Sequence, residues 1–428
     1  ENNYDLKATA ARVLQSQAAL AQARGQLMPD ISYGIGRDRS KRYFDFGGGG
    51  DALIITDPNG VPIGEIPGIG GAFSPLTTTW SHGISISYLV DLWGKLRRSE
   101  RAAWADMFAA ECNQQALVNS VIATVVLARV QVATLQLRLK LAQDNVASLQ
   151  RTLEITERRY QQGLVGPVDV RLARASLESA KVQEPAVALS LATAQHALDV
   201  LLARQPGTSE ELPKTLPWLP DLEPVPVGVP AALLDRRPDV RAAEFSLRAA
   251  NERVGVSMAE LYPDLVLTGT YGASSDRFED IWNQDFEIYS AIINLAAPIW
   301  KGGQIRAGIR AAKAQYEELA ATYAGVVLNA IREVEDALVG ERLLQTQLEH
   351  SRVQFEESKA AEELSRARYE RGVEGLLTVL ESERRRRIAE ESLTILLGRI
   401  WTTRVNLHLA LGGDWDNHAV TETQVVKK

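Results

Sequence analysis

Residues 94–160 contain no proline, and along them apolar or small side chains recur at alternating spacings of four and three. Leu117, Val121, Val125, Ala128, Val132, Leu135, Leu139, Ala142, Val146, Leu149 and Leu153 form one seam. A heptad pattern sustained that far predicts a long helix whose apolar stripe is covered by other helices, a coiled coil. At 1.5 Å per residue the stretch spans about 100 Å, far longer than a small domain. Residues 304–371 are likewise free of proline and open with Ile305, Ile309, Ala312, Tyr316, Leu319 and Tyr323. Each stretch ends at a glycine-containing turn, and a helical stretch runs back, Pro167 to Ala203 and Leu376 to Leu411. Pro185 is expected to bend or interrupt the first of these.

The two turns belong to an internal repeat. Arg159-Tyr160-Gln161-Gln162-Gly163-Leu164-Val165-Gly166 recurs as Arg368-Tyr369-Glu370-Arg371-Gly372-Val373-Glu374-Gly375, with Val170 and Val379 following at the same distance. Leu27-Met28-Pro29-Asp30 recurs as Leu261-Tyr262-Pro263-Asp264, and Leu92-Trp93-Gly94-Lys95 has a looser echo in Ile299-Trp300-Lys301-Gly302. The motifs keep the same order in both halves, so one structural unit is used twice.

Ahead of each long helix the period changes from 3.5 to 2. Ile31, Tyr33 and Ile35 alternate with Ser32, Gly34 and Gly36, and Ile84, Ile86, Tyr88 and Val90 with Ser85 and Ser87. The second half offers Leu265 to Tyr271 and, less cleanly, Phe286 to Ala297. Strands with one apolar face and one of Ser, Gly and Thr suit a membrane barrel, and equally any half-exposed antiparallel sheet. Flanking Tyr33, Trp80, Tyr88, Trp93 and Trp300 favour the barrel, whose interfaces collect aromatic rings. The segment from Arg37 to Pro75, with Gly47 to Gly50, reads as a long extracellular loop. A segment from Pro206 to Pro238, dense in proline (Pro217, Pro220, Pro224, Pro226, Pro230), cannot be continuous helix and reads as a connector around the bundle.

Composition narrows the function. A net charge of −7 offers no nucleic-acid footprint. The single cysteine, Cys112, excludes an intramolecular disulfide and a thiolate zinc cluster, and reads as a buried, inert thiol. His82, His196, His350, His408 and His418 lack metal-ligand spacing, the glycine run lacks the ending of a phosphate loop, and no nucleophile turn occurs. Neither a catalytic residue nor a cofactor or metal is expected. The apolar stretch Leu117 to Leu137 holds Asn119, Arg129 and Gln131 and fails as a helical membrane span, so an integral membrane role would fall to β-strands. The chain opens inside a helix start without a secretory signal, which reads as a processed or trimmed N-terminus.

Each half is thus strand, strand, long helix, turn, return helix. Four strands cannot close a barrel around a useful lumen and would leave open edges, so partners are required. Several blocks carry a resemblance: the Asn2 to Asp30 opening, Val90-Asp91-Leu92-Trp93-Gly94-Lys95-Leu96-Arg97, the duplicated Arg-Tyr-x-x-Gly turn, Leu234-Asp235-Arg236-Arg237-Pro238-Asp239-Val240, and Ala410-Leu411-Gly412-Gly413. Together they resemble TolC-type outer-membrane efflux proteins over nearly the whole chain, closest to the OprM-like branch serving resistance-nodulation-division pumps. The resemblance implies a homotrimer with a 12-stranded barrel in outer-membrane lipid, a mainly α-helical periplasmic tunnel, and a closed tip facing a periplasmic adaptor and an inner-membrane pump. It implies barrel hairpins at 29–92 and 263–300, tunnel helices at 1–28, 93–205, 239–262 and 301–411, and a connector and tail at 206–238 and 412–428. Many members of that branch begin the mature chain with a lipidated cysteine upstream of this segment. None is present here, which leaves lipidation open.

By the same resemblance the channel closes at the helix tips, around Gly163, Gly166 and Asp169 and around Gly372, Gly375 and Glu381. Tyr369 lies one turn before the second tip, while Leu377 and Glu381 lie just after it on one helical face. In three copies Leu377 would form an apolar constriction and Glu381 a carboxylate ring favouring cations. Arg384 and Asp169 would supply ion pairs between neighbouring coils. The plain alternatives are a core leucine and a solvated Glu–Arg pair worth under ~1 kcal/mol. Thr378 and Glu374 depart from the TolC pattern, which has an acidic residue and an arginine there. The competing function is a soluble coiled-coil scaffold or adaptor without a pore; the duplicated strand hairpins speak against it. Drugs or other toxic compounds would be the cargo, delivered by the pump.

Overall fold

The computed structural model describes residues 3–41, 44–45, 53–56, 62–66, 72–73, 76–207 and 236–413. Gly47 to Gly50, most of the proline-dense connector, His418 and the tail lie outside them. The chain divides into two compact units, each drawing on both halves of the repeat.

One unit, residues 19–103 and 251–314, is built on a four-stranded antiparallel sheet in the order β1, β6, β7, β8. The strands are β1 (Asp30–Lys41), β6 (Leu76–Val90), β7 (Asp264–Ser275) and β8 (Glu287–Ala296). Between β1 and β6 the short pairs β2 (Phe44–Asp45) with β5 (Ala72–Phe73), and β3 (Leu53–Thr56) with β4 (Pro62–Ile66), interrupt what reads from sequence as loop. The first hairpin also runs past its apolar alternation: Arg37 pairs with Trp80 and Lys41 with Leu76. Backbone pairing continues there although the side chains turn polar, because the ladder needs only N–H and C=O groups.

Register sorts the side chains by face. Tyr33, Ile84, Tyr271 and Tyr289 lie opposite one another across all four strands, as do Val90, Leu265 and Leu295 across three. The other face carries Ser32, Ser85 and Thr270 opposite Ser290, the last two hydroxyls 2.7 Å apart. At Gly272 a Cβ would lie 2.0 Å from the His82 carbonyl oxygen, so only glycine permits this approach of β6 and β7. β1 and β8 are edges whose side chains are almost all exposed.

The other unit, residues 1–18, 104–250 and 315–428, is helical. The helices along the chain are α1 (Tyr4–Gly25), α2 (Lys95–Gln161), α3 (Pro167–Leu201), α4 (Pro238–Ala259), α5 (Gln304–Glu370) and α6 (Leu376–Ala410). The duplication is literal in length: 22 residues in α1 and α4, 67 in α2 and α5, 35 in α3 and α6. α3 passes through Pro185 without a break. The proline is exposed, so the Lys181 carbonyl that loses its helical donor can turn to water.

By length and composition alone α2 could cross a membrane, its most apolar window reaching a mean hydropathy of 1.8. One stripe of it packs within the chain, where Val132 and Ala133 have no exposed surface. Thr134 packs against Gly398 of α6, and Arg138 reaches Glu391 of α6 at 2.5 Å. Cys112 is buried, and burial pushes its thiol up. On the outside of the bundle, Val168, Val182 and Leu189 of α3 and Leu328, Leu343, Val353 and Leu364 of α5 remain more than half exposed. The positions 168, 182 and 189 share one heptad phase, the mark of a seam awaiting another helix.

Two motifs singled out in the sequence meet in this unit. The Arg237 guanidinium, 9% exposed at its side chain, binds Asp239 at 2.7 Å, Glu333 at 2.8 Å and the Ala410 carbonyl at 3.1 Å. Pro238 opens α4, where its missing N–H costs nothing. Asn119 donates to the Gly412 carbonyl at 2.8 Å. The Arg-Arg-Pro-Asp block and the Leu-Gly-Gly block therefore lock α2, α4, α5 and the end of α6 together.

Candidate gate at the helix tips

The repeated Arg-Tyr-x-x-Gly motif is a helix stop. At the end of α2, Gly163 adopts φ +74°, its N–H donates to Tyr160 at 2.9 Å, and the Leu164 N–H donates to Arg159 at 2.9 Å. At the end of α5, Gly372 adopts φ +79° with the matching bonds, to Tyr369 at 2.9 Å and from Val373 to Arg368 at 3.0 Å. These paired bonds are a Schellman motif, which needs a left-handed residue that glycine supplies without strain. Gly166 and Gly375 then cap α3 and α6 in extended conformation. The Gly166 N–H donates to the Asp169 carboxylate at 3.2 Å, a charge well placed on the helix N-terminus.

Beneath the tips the four helices share one core: Leu149 and Leu153 of α2, Leu177 of α3, Tyr369 of α5, and Leu376 and Val379 of α6. Tyr369 is 2% exposed, its hydroxyl 3.3 Å from that of Thr156. Leu377, by contrast, is 65% exposed. Glu381 is held by Arg384 at 2.9 Å and by Arg385 at 2.8 Å. The Arg384 and Arg385 guanidiniums drop the Glu381 carboxyl to about 2. Of the residues singled out in the sequence, Glu381 and Arg384 are thus joined, Tyr369 faces the chain's own core, and Asp169 caps α3 within the chain. The two departures from the TolC pattern form a local link: Thr378 donates to Glu374 at 3.0 Å, and Glu374 pairs with Arg368 at 3.3 Å.

Sequence reasoning missed a buried polar layer just behind this core. Glu383 of α6, 4% exposed, accepts from Thr152 of α2 at 2.8 Å and from Arg366 of α5 at 2.5 Å. Arg366 also donates to Ser148 at 2.7 Å, and Glu362 of α5 pairs with Arg386 of α6. The Glu383 Oε2 atom is buried with no hydrogen-bond partner among the described residues. Glu390 lies in the same layer, and burial raises its carboxyl although Arg386 pulls the other way. The signal was readable. The heptad phase of Leu376 and Val379 continues through Glu383, Arg386 and Glu390, which puts charge where a coiled coil keeps its core.

Such a site offers side chains that pack, bond and titrate. Among the described residues no group of His, Cys, Asp and Glu could hold a metal ion. The family model described as outer membrane efflux protein matches residues 1–204 and 229–413. A curated relative, the pyoverdine export outer membrane protein OpmQ of Pseudomonas putida, is 30% identical over 98% of this chain and 85% of its own length. The toluene efflux pump outer membrane protein TtgF of Pseudomonas putida is 31% identical, covering 97% and 82%. The solved structure of the outer-membrane channel OprN superposes with a TM-score of 0.86 at 28% identity, covering 97% of this chain and 88% of that one. With its duplicated helices, four-stranded sheet and matched length, the chain belongs to the outer membrane efflux protein family, whose members form channels.

Proposed function

We propose that three copies of this chain close a 12-stranded barrel in the outer membrane and a helical tunnel in the periplasm, gated at the helix tips. As a member of its family the chain is an outer-membrane duct of a tripartite efflux system. The observation that carries the trimer is the sheet: four strands, open at β1 and β8, with an apolar face and an opposite face that is small and polar on β1 and β6 and mixed on β7 and β8. A lone four-stranded sheet with unpaired edges and apolar residues on an exposed face is unstable in water or lipid; joining β8 of one copy to β1 of the next removes every edge. Apolar residues left exposed on α3 and α5 support the same closure among the helices.

In the closed tip, Tyr369 and its core hold the α5–α6 turn against α2, while Leu377 and Glu381 project from the surface the chain leaves uncovered. Three copies would bring three Leu377 side chains and three Glu381 carboxylates towards the axis. The partners are a periplasmic adaptor and an inner-membrane pump of the resistance-nodulation-division type, which deliver cargo and energy. Relatives at 30–31% identity are named for pyoverdine export and for toluene efflux, so the duct body is compatible with unlike cargoes. Single-channel conductance in a planar bilayer, with oligomeric mass in detergent, tests the reading. A trimer with small, cation-selective currents is expected; a species that never enters the bilayer would sink the channel and leave the scaffold.

A further inference from the structure

The face of β1 that carries Ile31, Tyr33 and Ile35 continues, by the same alternation, into Arg37, Arg39 and Lys41. Three cations therefore stand in one row above three apolar residues on one edge strand. Asp38 belongs to the opposite face, and among the described residues no carboxylate forms an ion pair with any of the three. Carboxylates of the β7–β8 connection, Asp276, Glu279 and Asp280, follow a different strand.

The height of this row follows from the sheet. All the helical stems join one end of it, at Asp30, Val90, Asp264 and Ala296; Lys41, Leu76 and Ser275 lie at the other. From Val90 to Trp80 is ten strand positions, about 33 Å along the chain. Tilted at about 40°, that covers roughly 25 Å along the membrane normal, the height of a barrel's apolar band. Aromatic rings mark both limits. Trp93 stacks on Tyr262 at the helical end, with centroids 4.7 Å apart, and Trp80 meets Phe278 at 5.0 Å at the other. Arg37 lies over Trp80, its guanidinium carbon 5.1 Å from the ring centroid. The basic row thus begins at the outer aromatic girdle and extends beyond the apolar band, on the face turned to lipid.

We propose that Arg37, Arg39 and Lys41 bind the phosphate groups of the phosphorylated glycolipid that forms the outer leaflet of a Gram-negative outer membrane. The inference rests on the barrel reading above. A guanidinium fork takes a phosphate through two parallel bonds, an ammonium adds a point charge, and the Ile31, Tyr33 and Ile35 face beneath accepts the acyl chains. The ends of the row, Arg37 and Lys41, stand about 13 Å apart on the strand, a separation on the scale of two phosphates at opposite ends of a disaccharide headgroup.

Native mass spectrometry of the purified channel, titrated with bisphosphorylated lipid A and with its dephosphorylated form, tests this. Wild-type protein should retain the bisphosphorylated lipid on the order of tenfold more tightly or better, and millimolar inorganic phosphate should not displace it. Arg37→Gln/Arg39→Gln/Lys41→Gln should lose that preference. Arg39→Gln/Lys41→Gln, which leaves Arg37 over Trp80, should lose part of it. Equal binding of both lipids by wild type, displacement by free phosphate, or an undiminished preference in the triple variant would overturn the proposal. Insertion of the same preparations into planar bilayers separates the two readings. Protein that inserts yet shows no lipid preference refutes the lipid site alone, and protein that never inserts refutes the barrel.

Discussion

Arg159 lies over the ring of Tyr369, its guanidinium carbon 4.4 Å from the centroid, and donates to the Tyr369 carbonyl. One side chain from the first turn of the repeat thereby satisfies the last turn of α5 and covers the aromatic ring at the tip core. A cation stacked on a desolvated ring is worth about 1–2 kcal/mol, and a charged bond to a helix C-terminal carbonyl adds a comparable amount. Arg159→Ala should accordingly loosen the α5–α6 turn first. Hydrogen exchange at Ala367 to Gly372 should accelerate on the order of tenfold or more, while amides in the middle of α2 keep their protection. Uniform acceleration throughout the bundle would show that Arg159 supports global folding and not the tip.

Tyr369→Phe keeps the ring and removes only its hydroxyl contact with Thr156, so a cost of about 1 kcal/mol is expected. Leu377→Ala removes an exposed side chain and should leave the stability of a single chain almost unchanged. Combined, the two should raise resting single-channel conductance, since one relaxes the tip and the other widens the constriction. An unaltered conductance, with trimers intact, would remove both residues from the gate.

The long helices and the strands were legible because each rests on a periodicity that composition cannot hide: 3.5 in the seam of α2, 2 in Ile31 to Ile35 and Ile84 to Val90. From Arg37 to Lys41 the backbone ladder continues under polar side chains, so the apolar signal stops before the strand does. The repeat predicted equivalent turns, and the backbones agree bond for bond, yet the side chains do not. Tyr369 is buried whereas Tyr160 is 47% exposed, and Arg159 covers a ring whereas Arg368 pairs with Glu374. A local motif fixes local bonds; which copy faces the core depends on neighbours remote in sequence. The Glu383 layer was overlooked because carboxylates near Arg384 to Arg387 read as solvated, an inference that heptad phase overrides.

That layer makes a distinct prediction. Arg366→Met should leave the Glu383 carboxylate buried without its cation, a loss on the order of 3–5 kcal/mol, visible as a marked fall in Tm. Arg366→Met/Glu383→Leu removes both charges and should recover most of it, because the desolvation cost disappears with the ion pair. A double-mutant cycle with Glu383→Leu measures the coupling. Additive effects of the two substitutions would mean that the pair, though 2.5 Å apart, contributes nothing specific.

The pairing of Glu381 predicts how the proposed gate would answer acid. Its carboxyl is lowered to about 2 by hydrogen bonds from Arg384 and then Arg385. A depressed carboxyl favours the folded, paired form above its ordinary value of 4.5, and that advantage is lost as pH falls through the lowered value. In the proposed trimer, a ring of Glu381 carboxylates should therefore stay charged at pH 4, where an unpaired carboxylate would be largely protonated. Cation selectivity, read from reversal potentials across a salt gradient, should persist from pH 7 to pH 4 in the wild type. Arg384→Gln/Arg385→Gln frees the carboxyl to return towards 4.5, so the variant should be cation-selective at pH 7 and lose much of that selectivity by pH 4. Glu381→Gln should be weakly selective at both. If the wild type loses selectivity near pH 4.5, Glu381 does not titrate as a paired group in the assembled gate; if Glu381→Gln remains as selective as the wild type, the filter lies elsewhere along the duct.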